Sequence, residues 1–524
     1  MSTDQILTID ADILIIGGGL AGCWAALTAA RSGMRVVLAE KGYCGTSGVA
    51  ATAGPGHWWV PPEPGAREEA VAKRLRAAQG LGNAAWMLRI IERTFETLPS
   101  IATHYRHEPD GNGNIRPYAL RGPEYLRALR QKVLAAGVHI LDHAPATHLM
   151  RDADGVINGA RGVLRQGTDT TWLIRAGATV LATGGCAFGS SLLGAANNTG
   201  DGLLMAAEVG AELSGMEFSA FFTIAPARTT MARTMIYSFA RYYDSDGRLL
   251  VRQTGPHDNA FLALALSQGP VFCDLSAVPE DIRRQLPQIS PNVTITFRRL
   301  GIDPFKQRFP ITLLGEGTVR GIGGIRVTGL DSGCGVPGLF VAGDVASREQ
   351  VTGPISGGGA VNSAWALASG CIAAESAITF LKTSRGERVS VQNTRNQENG
   401  IRMADAAVQR ETERTITAEM LAPEKQYFRS ARTLQTAIER LANCHHALNG
   451  LYGGKTPRAR QRFRELQAML ATARWCSASA LARESSLGLH QRIDSSSGNT
   501  RPFLVRSSGL DIIRTRCDPV EIPA

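Results

Sequence analysis

One short segment, GGGLAG at residues 17–22, constrains the fold more than any other part of the chain. An apolar run at 11–16 precedes it, a helix-like stretch of small residues follows to about residue 31, and a second apolar run at 35–39 ends at Glu40. Gly17 allows a tight turn, Gly19 lets backbone N–H groups approach a pyrophosphate, and Gly22 permits close helix packing. Glu40 falls where a carboxylate can bind the adenosine ribose. The segment therefore predicts a dinucleotide-binding domain.

Composition places this domain in a large α/β enzyme. The chain has 524 residues, of which 44% are hydrophobic, 19% are charged and 57 are glycine. It contains no apolar run of the length that spans a membrane, and its first residues lack a basic stretch followed by a cleavage site. The nine cysteines are scattered without a C-x-x-C pair, which argues against a disulfide framework or a protein-bound iron–sulfur cluster. We expect a cytoplasmic enzyme without a membrane span or a metal site.

The positive charge is concentrated at the C-terminal end. The net charge is +10, and residues 381–524 hold 23 Lys and Arg against 14 Asp and Glu. Such a region can dock an acidic iron–sulfur or other electron-transfer protein, or it can be a solvated helical face. The basic run at 457–465 has no interleaved aromatic platform, so the sequence gives no indication of nucleic-acid binding.

The remaining chain alternates between strand and helix patterns. A helix is predicted at 122–136, strands at 138–174, and a buried strand runs into a turn at 178–185. The pattern changes at residues 214–330, which contain aromatic clusters, Pro-rich loops and mixed short elements. This change indicates an inserted domain. A second strand and turn, GLFVAGD at 338–344, is followed by a glycine loop at 356–359 and a helix at 360–379. Apolar spacing predicts further helices, among them 434–448 and 463–481.

These motifs together resemble the flavoprotein superfamily of fumarate reductase, succinate dehydrogenase, L-aspartate oxidase and adenylylsulfate reductase. The matching stretches include DILIIGGGLAG, VVLAEKG, TVLATGG, NNTGDGLLMAAEVGAELSGMEF, GIGGIRV and GLFVAGD, and ALARESSLGLHQRID is similar to its C-terminal signature. The resemblance implies an α/β fold, in which a Rossmann-type FAD-binding domain carries an inserted α+β capping domain and a C-terminal helical region. It divides the chain into an FAD-binding domain at 1–214 and 336–380, a capping and substrate domain at 215–335, and a mainly helical region at 381–524.

The resemblance also implies which residues bind FAD. We expect the helix that begins near Gly359 to favour negative charge at one edge of the flavin, and Asp344 to meet its ribityl chain. The expected FAD-binding residues are Gly17, Gly19, Leu20, Ala21, Gly22, Glu40, Lys41, Thr46, Ser47, Gly48, Ala51, Ala53, Gly54, Ala146, Ala182, Thr183, Gly184, Asn198, Asp201, Gly343, Asp344, Gly359, Ala360 and Val361.

Several departures from this superfamily narrow the expected chemistry. No histidine precedes the VAA segment at 49–51, where relatives attach FAD covalently, so we expect non-covalent FAD. Phe222 stands where the dicarboxylate enzymes have a substrate-contacting His, and the segment 319–322, VRGI, replaces a second one. Their HGANR sequence becomes GPISG at 353–357. Two carboxylates need cationic or strong donor groups when desolvated, so the substrate is predicted not to be succinate or fumarate.

Other residues are candidates for the substrate site. Trp58, Trp59, Phe221 and Phe222 are expected to wall in a flat or less charged substrate, with His57 as a proton relay. Arg228 and Arg241 are expected catalytic anion contacts in the capping domain. Arg233 is a further candidate.

The leading hypothesis is an FAD-dependent oxidoreductase that transfers hydride between flavin N5 and a small organic substrate. Three alternatives stay open: an adenylylsulfate-reductase-like flavoprotein subunit with an iron–sulfur partner, an amine or amino-acid oxidase that uses oxygen, and a non-catalytic flavin-binding protein. The sequence leaves open the substrate, the electron acceptor, the general acid or base and the oligomeric state.

Overall fold

The computed structural model describes residues 6–107, 109, 113, 115–166, 170–231, 234–251, 259–383, 402–495 and 501–520. Within these residues the strands are β1 Ile6–Ile16, β2 Val36–Ala39, β3 His139–Leu141, β4 Ala146–Arg151, β5 Ile157–Val163, β6 Thr171–Leu181, β7 Leu213–Ser214, β8 Phe222–Pro226, β9 Arg241–Tyr243, β10 Leu249–Leu250, β11 Phe272–Asp274, β12 Phe309–Gly315, β13 Gly324–Ile325, β14 Leu339–Val341, β15 Arg402–Met403, β16 Leu451–Tyr452, β17 Phe503–Ser508 and β18 Arg514–Pro519.

The helices of the same residues follow the predicted positions closely where the apolar spacing is strong. They are α1 Leu20–Arg31, α2 Ala66–Ala77, α3 Ala84–Thr97, α4 Gly122–Ala135, α5 Asp201–Glu208, α6 Ala260–Gln268, α7 Glu280–Ile289, α8 Pro291–Leu300, α9 Glu349–Thr352, α10 Gly358–Thr383, α11 Ala406–Met420, α12 Pro423–Tyr427, α13 Ala431–Leu448 and α14 Pro457–Ala482.

The largest sheet is organised by β6. This 11-residue strand pairs in parallel with β1 along its whole length. On its other side the first half pairs antiparallel with β5, and the second half pairs in parallel with β14. Together with β2 and β3, the parallel strands place their carboxyl ends at one edge of the sheet, which is where ligands bind in open α/β folds.

Helix α10 forms the centre of the FAD-binding core. It packs against α1, and a Cβ at Gly370 would lie 2.4 Å from the carbonyl oxygen of Ala21, so only glycine allows the two helices to approach this closely. Among the described residues, α10 is the one helix that is long enough and apolar enough to span a membrane. However, 72% of its most apolar window is buried inside the protein. This burial fits a core helix.

A second sheet lies in the inserted segment. Its strand order is β10-β9-β11-β12-β8, and helices α6, α7 and α8 lie in the same segment. An apolar cluster of its own forms there, with Val271, Phe297 and Phe309 among its buried members. These elements fall inside the predicted capping segment 215–335. The domain boundaries themselves stay a prediction.

The C-terminal part contains the predicted helices and a hairpin that the sequence did not indicate. Strands β17 and β18 pair with each other, and β17 also pairs with β7 at the start of the capping segment. Buried ion pairs strengthen this junction: Arg483 Nε lies 2.8 Å from Glu217 Oε1, and Arg506 Nη1 lies 2.7 Å from Glu349 Oε1. The C-terminal part is thereby joined to the capping segment at Glu217 and to the FAD-binding part at Glu349.

Candidate functional site

The glycine turn between β1 and α1 has the geometry that its sequence predicts. Gly17 has φ +107°, and a Cβ there would lie 2.3 Å from the carbonyl oxygen of Ala182. A Cβ at Gly22 would lie 1.7 Å from the carbonyl oxygen of Gly17. Nothing lies within 4 Å of a Cβ at Gly19, so the backbone at the start of α1 faces open space. The first turn of a helix has unpaired N–H groups, which suits a pyrophosphate.

Glu40 follows β2 at the same edge of the sheet. Only 5% of this residue is exposed, and its carboxylate accepts hydrogen bonds from the N–H groups of Gly18 at 2.5 Å and Gly42 at 2.6 Å. These bonds fix the carboxylate beside the glycine turn. It also faces the cavity described next, so its free lone pairs can accept from ribose hydroxyl groups.

A cavity of about 510 Å³ runs from this turn to the capping segment. Most of the residues expected to bind FAD line it. These are Gly17, Gly19, Leu20, Ala21, Glu40, Lys41, Ser47, Gly48, Ala53, Gly54, Ala146, Ala182, Thr183, Gly184, Asn198, Asp201, Gly343, Asp344 and Gly359.

Five expected FAD-binding residues do not line the cavity. Gly22 provides the close packing under the turn, and Ala51 is buried in a short 3₁₀ helix. The hydroxyl group of Thr46 donates to the carbonyl oxygen of Tyr43, and the carbonyl oxygen of Ala360 accepts from the N–H group of Trp58. Val361 is buried in α10 without lining the cavity.

Lys41 is held by an acidic pair. Its Nζ lies 2.8 Å from Asp201 Oδ2 and 2.8 Å from Glu465 Oε1, and it donates to Thr199 Oγ1 at 2.6 Å. Burial lowers the pKa of Lys41, but the two carboxylates outweigh this and raise its pKa above the ordinary value. Lys41 therefore links the FAD-binding core to α14 in addition to lining the cavity.

The N-terminal end of α10 forms another part of the wall. Gly359, Asn362 and Ser363 line the cavity here. The side-chain oxygen of Asn362 is buried without a hydrogen-bond partner among the described residues, and so is the hydroxyl group of Thr183. Buried polar atoms without partners are rare, so both indicate that a polar ligand completes the site.

The residues present therefore fit FAD. The glycine turn leaves room for a pyrophosphate, Glu40 suits the ribose, and the start of α10 suits an anionic edge of the flavin. No histidine lines the cavity in the described part of the chain, which fits FAD bound without a covalent link.

The capping segment closes the other end of the cavity. Phe221 and Phe222 line it, as expected from the sequence, and Phe222 also packs against Tyr427 with ring centroids 5.2 Å apart. Tyr237, Asn259 and Arg320 line the same end. The hydroxyl group of Tyr237 has no hydrogen-bond partner among the described residues, and burial raises its pKa well above the ordinary value.

The other candidates lie outside the cavity wall. His57 is buried, its Nε2 lies 3.4 Å from the hydroxyl oxygen of Tyr125, and burial lowers its pKa to about 4. Trp58 is partly buried against the core, and Trp59 packs on Phe95 with ring centroids 4.7 Å apart. None of these three residues lines the cavity.

The candidate arginines lie at the surface of the capping segment. Arg228 and Arg241 are exposed, and Arg241 Nη2 donates to Ser276 Oγ at 3.1 Å. Arg233 lies outside the described residues. Of the described arginines it is Arg320 that lines the cavity. A signal for it was available, because Arg320 lies in the segment that replaces the second substrate histidine of the dicarboxylate enzymes.

Comparisons with known proteins agree with this geometry. Residues 12–234 match the family model of the FAD binding domain, and residues 417–511 match that of the fumarate reductase flavoprotein C-terminal region. The sequence is 23% identical to a fumarate reductase (CoM/CoB) subunit of Methanothermobacter marburgensis, covering 95% of this chain and 96% of the relative. It is 27% identical to L-aspartate oxidase of Streptomyces coelicolor, covering 64% of this chain and 63% of the relative.

The fold also matches a solved structure over nearly its full length. The FrdA chain of E. coli quinol fumarate reductase superposes with a TM-score of 0.79 at 20% identity, covering 99% of this chain and 98% of the other. This match confirms the predicted fold, and the two family models confirm the superfamily and FAD as the cofactor.

Proposed function

Because this chain is an FAD-dependent oxidoreductase of the fumarate reductase, L-aspartate oxidase and adenylylsulfate reductase family, we propose that it transfers hydride between FAD and a carbon atom of a small organic substrate other than succinate or fumarate. The observation that carries this proposal is the composition of the cavity wall at the capping end. There the described residues supply Phe221, Phe222 and Tyr237 and a single arginine, Arg320, but no histidine.

This wall suits a substrate with less charge than a dicarboxylate. Each desolvated carboxylate that lacks a cation or a strong donor costs several kcal/mol, about enough to abolish binding. Aromatic side chains instead contribute apolar contact area and orient flat groups. Substrates that carry an apolar group beside the reacting carbon are therefore favoured over succinate.

The described side chains have separate roles in this proposal. FAD, when bound, supplies the hydride chemistry. The start of α10, with Asn362 and Ser363, orients and polarises the bound ring system, and the capping segment excludes water from the reacting atoms. Tyr237 places a buried hydroxyl group at the same end, where it can donate a hydrogen bond to a substrate oxygen or nitrogen.

An anaerobic spectral assay tests the proposal. Purified holoenzyme is mixed with a panel of amines, 2-hydroxy acids and saturated monocarboxylates, and photoreduced holoenzyme is mixed with the matching enoates and imines. We expect at least one compound to bleach the oxidised flavin absorbance, or to restore it, faster than succinate or fumarate does. The proposal is wrong if the dicarboxylates are the best substrates, or if the whole panel leaves the flavin unchanged.

A further inference from the structure

Arg320 places a cation at the capping end of the cavity. Its guanidinium carbon lies 5.0 Å from the ring centroid of Phe221, and both side chains line the cavity. Its Nε is buried without a hydrogen-bond partner, and no described carboxylate lies within ion-pair distance of it. A guanidinium N–H group that is buried without an acceptor is costly, so a ligand that supplies an acceptor would be favoured.

The nearby charges are already paired with other residues. Asp344 acts electrostatically on Arg320, but its carboxylate lies 2.7 Å from Nη1 of Arg348, a residue with no exposed surface. Lys41 also lines the cavity, and its ammonium group is held between two carboxylates. Among the described lining residues, Arg320 is therefore the cation that remains available to a substrate.

The capping segment contributes aromatic and aliphatic side chains to this end of the cavity, together with neutral polar ones such as Tyr237 and Asn259. Phe221 stacks on the guanidinium, and the neighbouring strand adds Phe222 and Ile224 to the wall. A guanidinium fork matches the two oxygens of one carboxylate, and a stacked ring holds the fork in place. A second carboxylate on the same substrate would find no further unpaired cation among the described lining residues, and besides Arg320 the capping segment offers it only neutral side chains.

We propose that Arg320 is the specificity-determining residue of this site, and that it binds the single carboxylate of a substrate whose remaining part is apolar and lies against Phe221 and Phe222. This inference rests on the proposed function, because it places the substrate in the same cavity. It deepens that function by naming the substrate class as apolar monocarboxylates.

Ligand binding to the holoenzyme tests the assignment without turnover. The probes are trans-cinnamate, its neutral analogue cinnamamide, and fumarate, and the readout is the dissociation constant from the change in the flavin absorption spectrum on titration. We expect cinnamate to bind at least about tenfold more tightly than either cinnamamide or fumarate.

Substitutions at Arg320 then separate charge from packing. We expect Arg320→Gln to weaken cinnamate binding by about 10- to 100-fold and to leave cinnamamide binding and FAD content nearly unchanged. Arg320→Lys keeps the charge and should bind cinnamate with an affinity between those of Arg320→Gln and the wild type. Arg308→Gln is the matched control, because Arg308 also stacks on an aromatic ring, that of Tyr243 at 3.4 Å, but is exposed outside the cavity wall.

Three results would overturn the inference: wild-type affinity for cinnamate in Arg320→Gln, tighter binding of fumarate than of cinnamate by the wild type, or no binding of cinnamate at millimolar concentration. The proposed function fails by a different result. If cinnamate binds through Arg320 while no compound of the redox panel changes the flavin, hydride transfer is refuted and the carboxylate site stands.

Discussion

Replacing Lys41 by Met tests the ion triad that joins the FAD-binding core to α14. The substitution keeps most of the side-chain volume and removes the charge that holds Asp201 and Glu465 together. The three side chains are only 13%, 15% and 19% exposed, so both carboxylates lose their partner in a poorly solvated place. Removing one partner of a buried ion pair costs about 3–5 kcal/mol, and the remaining exposure favours the low end, about 3 kcal/mol.

Thermal unfolding of the holoenzyme measures this effect. If the FAD-binding core unfolds as a unit of ordinary domain size, about 3 kcal/mol corresponds to a fall in Tm of roughly 5–10 °C. Because the folded pKa of Lys41 is raised, its stabilising contribution is fully present below its unfolded pKa of 10.5 and is lost as the pH rises through the folded value. The difference between wild type and Lys41→Met is therefore constant from neutral pH to about pH 10 and shrinks at higher pH.

A matched control uses an ion pair at the surface. Arg175 Nε lies 2.6 Å from Asp10 Oδ1, closer than either contact of Lys41, but both side chains are largely exposed. Arg175→Met is expected to leave the Tm nearly unchanged, since exposed pairs contribute little. The reasoning is refuted if Lys41→Met unfolds at the wild-type temperature, or if the two variants lose the same stability.

Three further substitutions probe the turn and the loop behind it. Gly22→Ala should weaken FAD binding by about tenfold or more, because its Cβ would overlap a backbone oxygen. Gly269→Ala is the control and should retain FAD, because only one side-chain atom lies within 4 Å of its Cβ. Equilibrium dialysis compares the FAD affinity of the two variants. In the folded protein His57 stays neutral down to about pH 4, whereas in the unfolded chain it is protonated below about pH 6.5. The free energy of unfolding should therefore fall by up to about 3 kcal/mol between pH 6.5 and pH 4 because of this residue. In a His57→Gln variant the denaturation midpoint should fall less steeply over that pH range. If the midpoint falls as steeply as in the wild type, His57 is not the source of this pH dependence. Trp59→Leu should lower the free energy of unfolding by about 1–2 kcal/mol through loss of its contact with Phe95. If the variant instead has an altered KM and unchanged stability, Trp59 contacts the substrate.

The dinucleotide-binding core could be predicted because its signals are local. Gly17, Gly22 and Glu40 lie within one continuous strand–turn–helix–strand unit. Their spacing alone predicts where the backbone packs closely and where a carboxylate meets the ribose. The strands that complete the cavity edge, β6 and β14, were predicted in the same way from buried runs followed by glycine turns. Each of these features depends on neighbours close in sequence.

The substrate end was harder to predict because distant segments build it. Phe221 meets Arg320 because β8 pairs antiparallel with β12, which brings the two ends of the capping segment together. The lost histidine drew attention to the segment that contains Arg320, but this signal does not tell which side chain of the segment faces the cavity. The surroundings of His57 were hard to predict for the same reason, since its burial beside Tyr125 depends on α4, far along the chain.

The most direct test of the central claim is the anaerobic rate of flavin reduction or reoxidation under single-turnover conditions, with dicarboxylates and apolar monocarboxylates compared at equal concentration. We predict that the best monocarboxylate or its enoate reacts at least about 100-fold faster than succinate or fumarate, which corresponds to about 2.7 kcal/mol of discrimination. A faster reaction with succinate or fumarate would contradict the account.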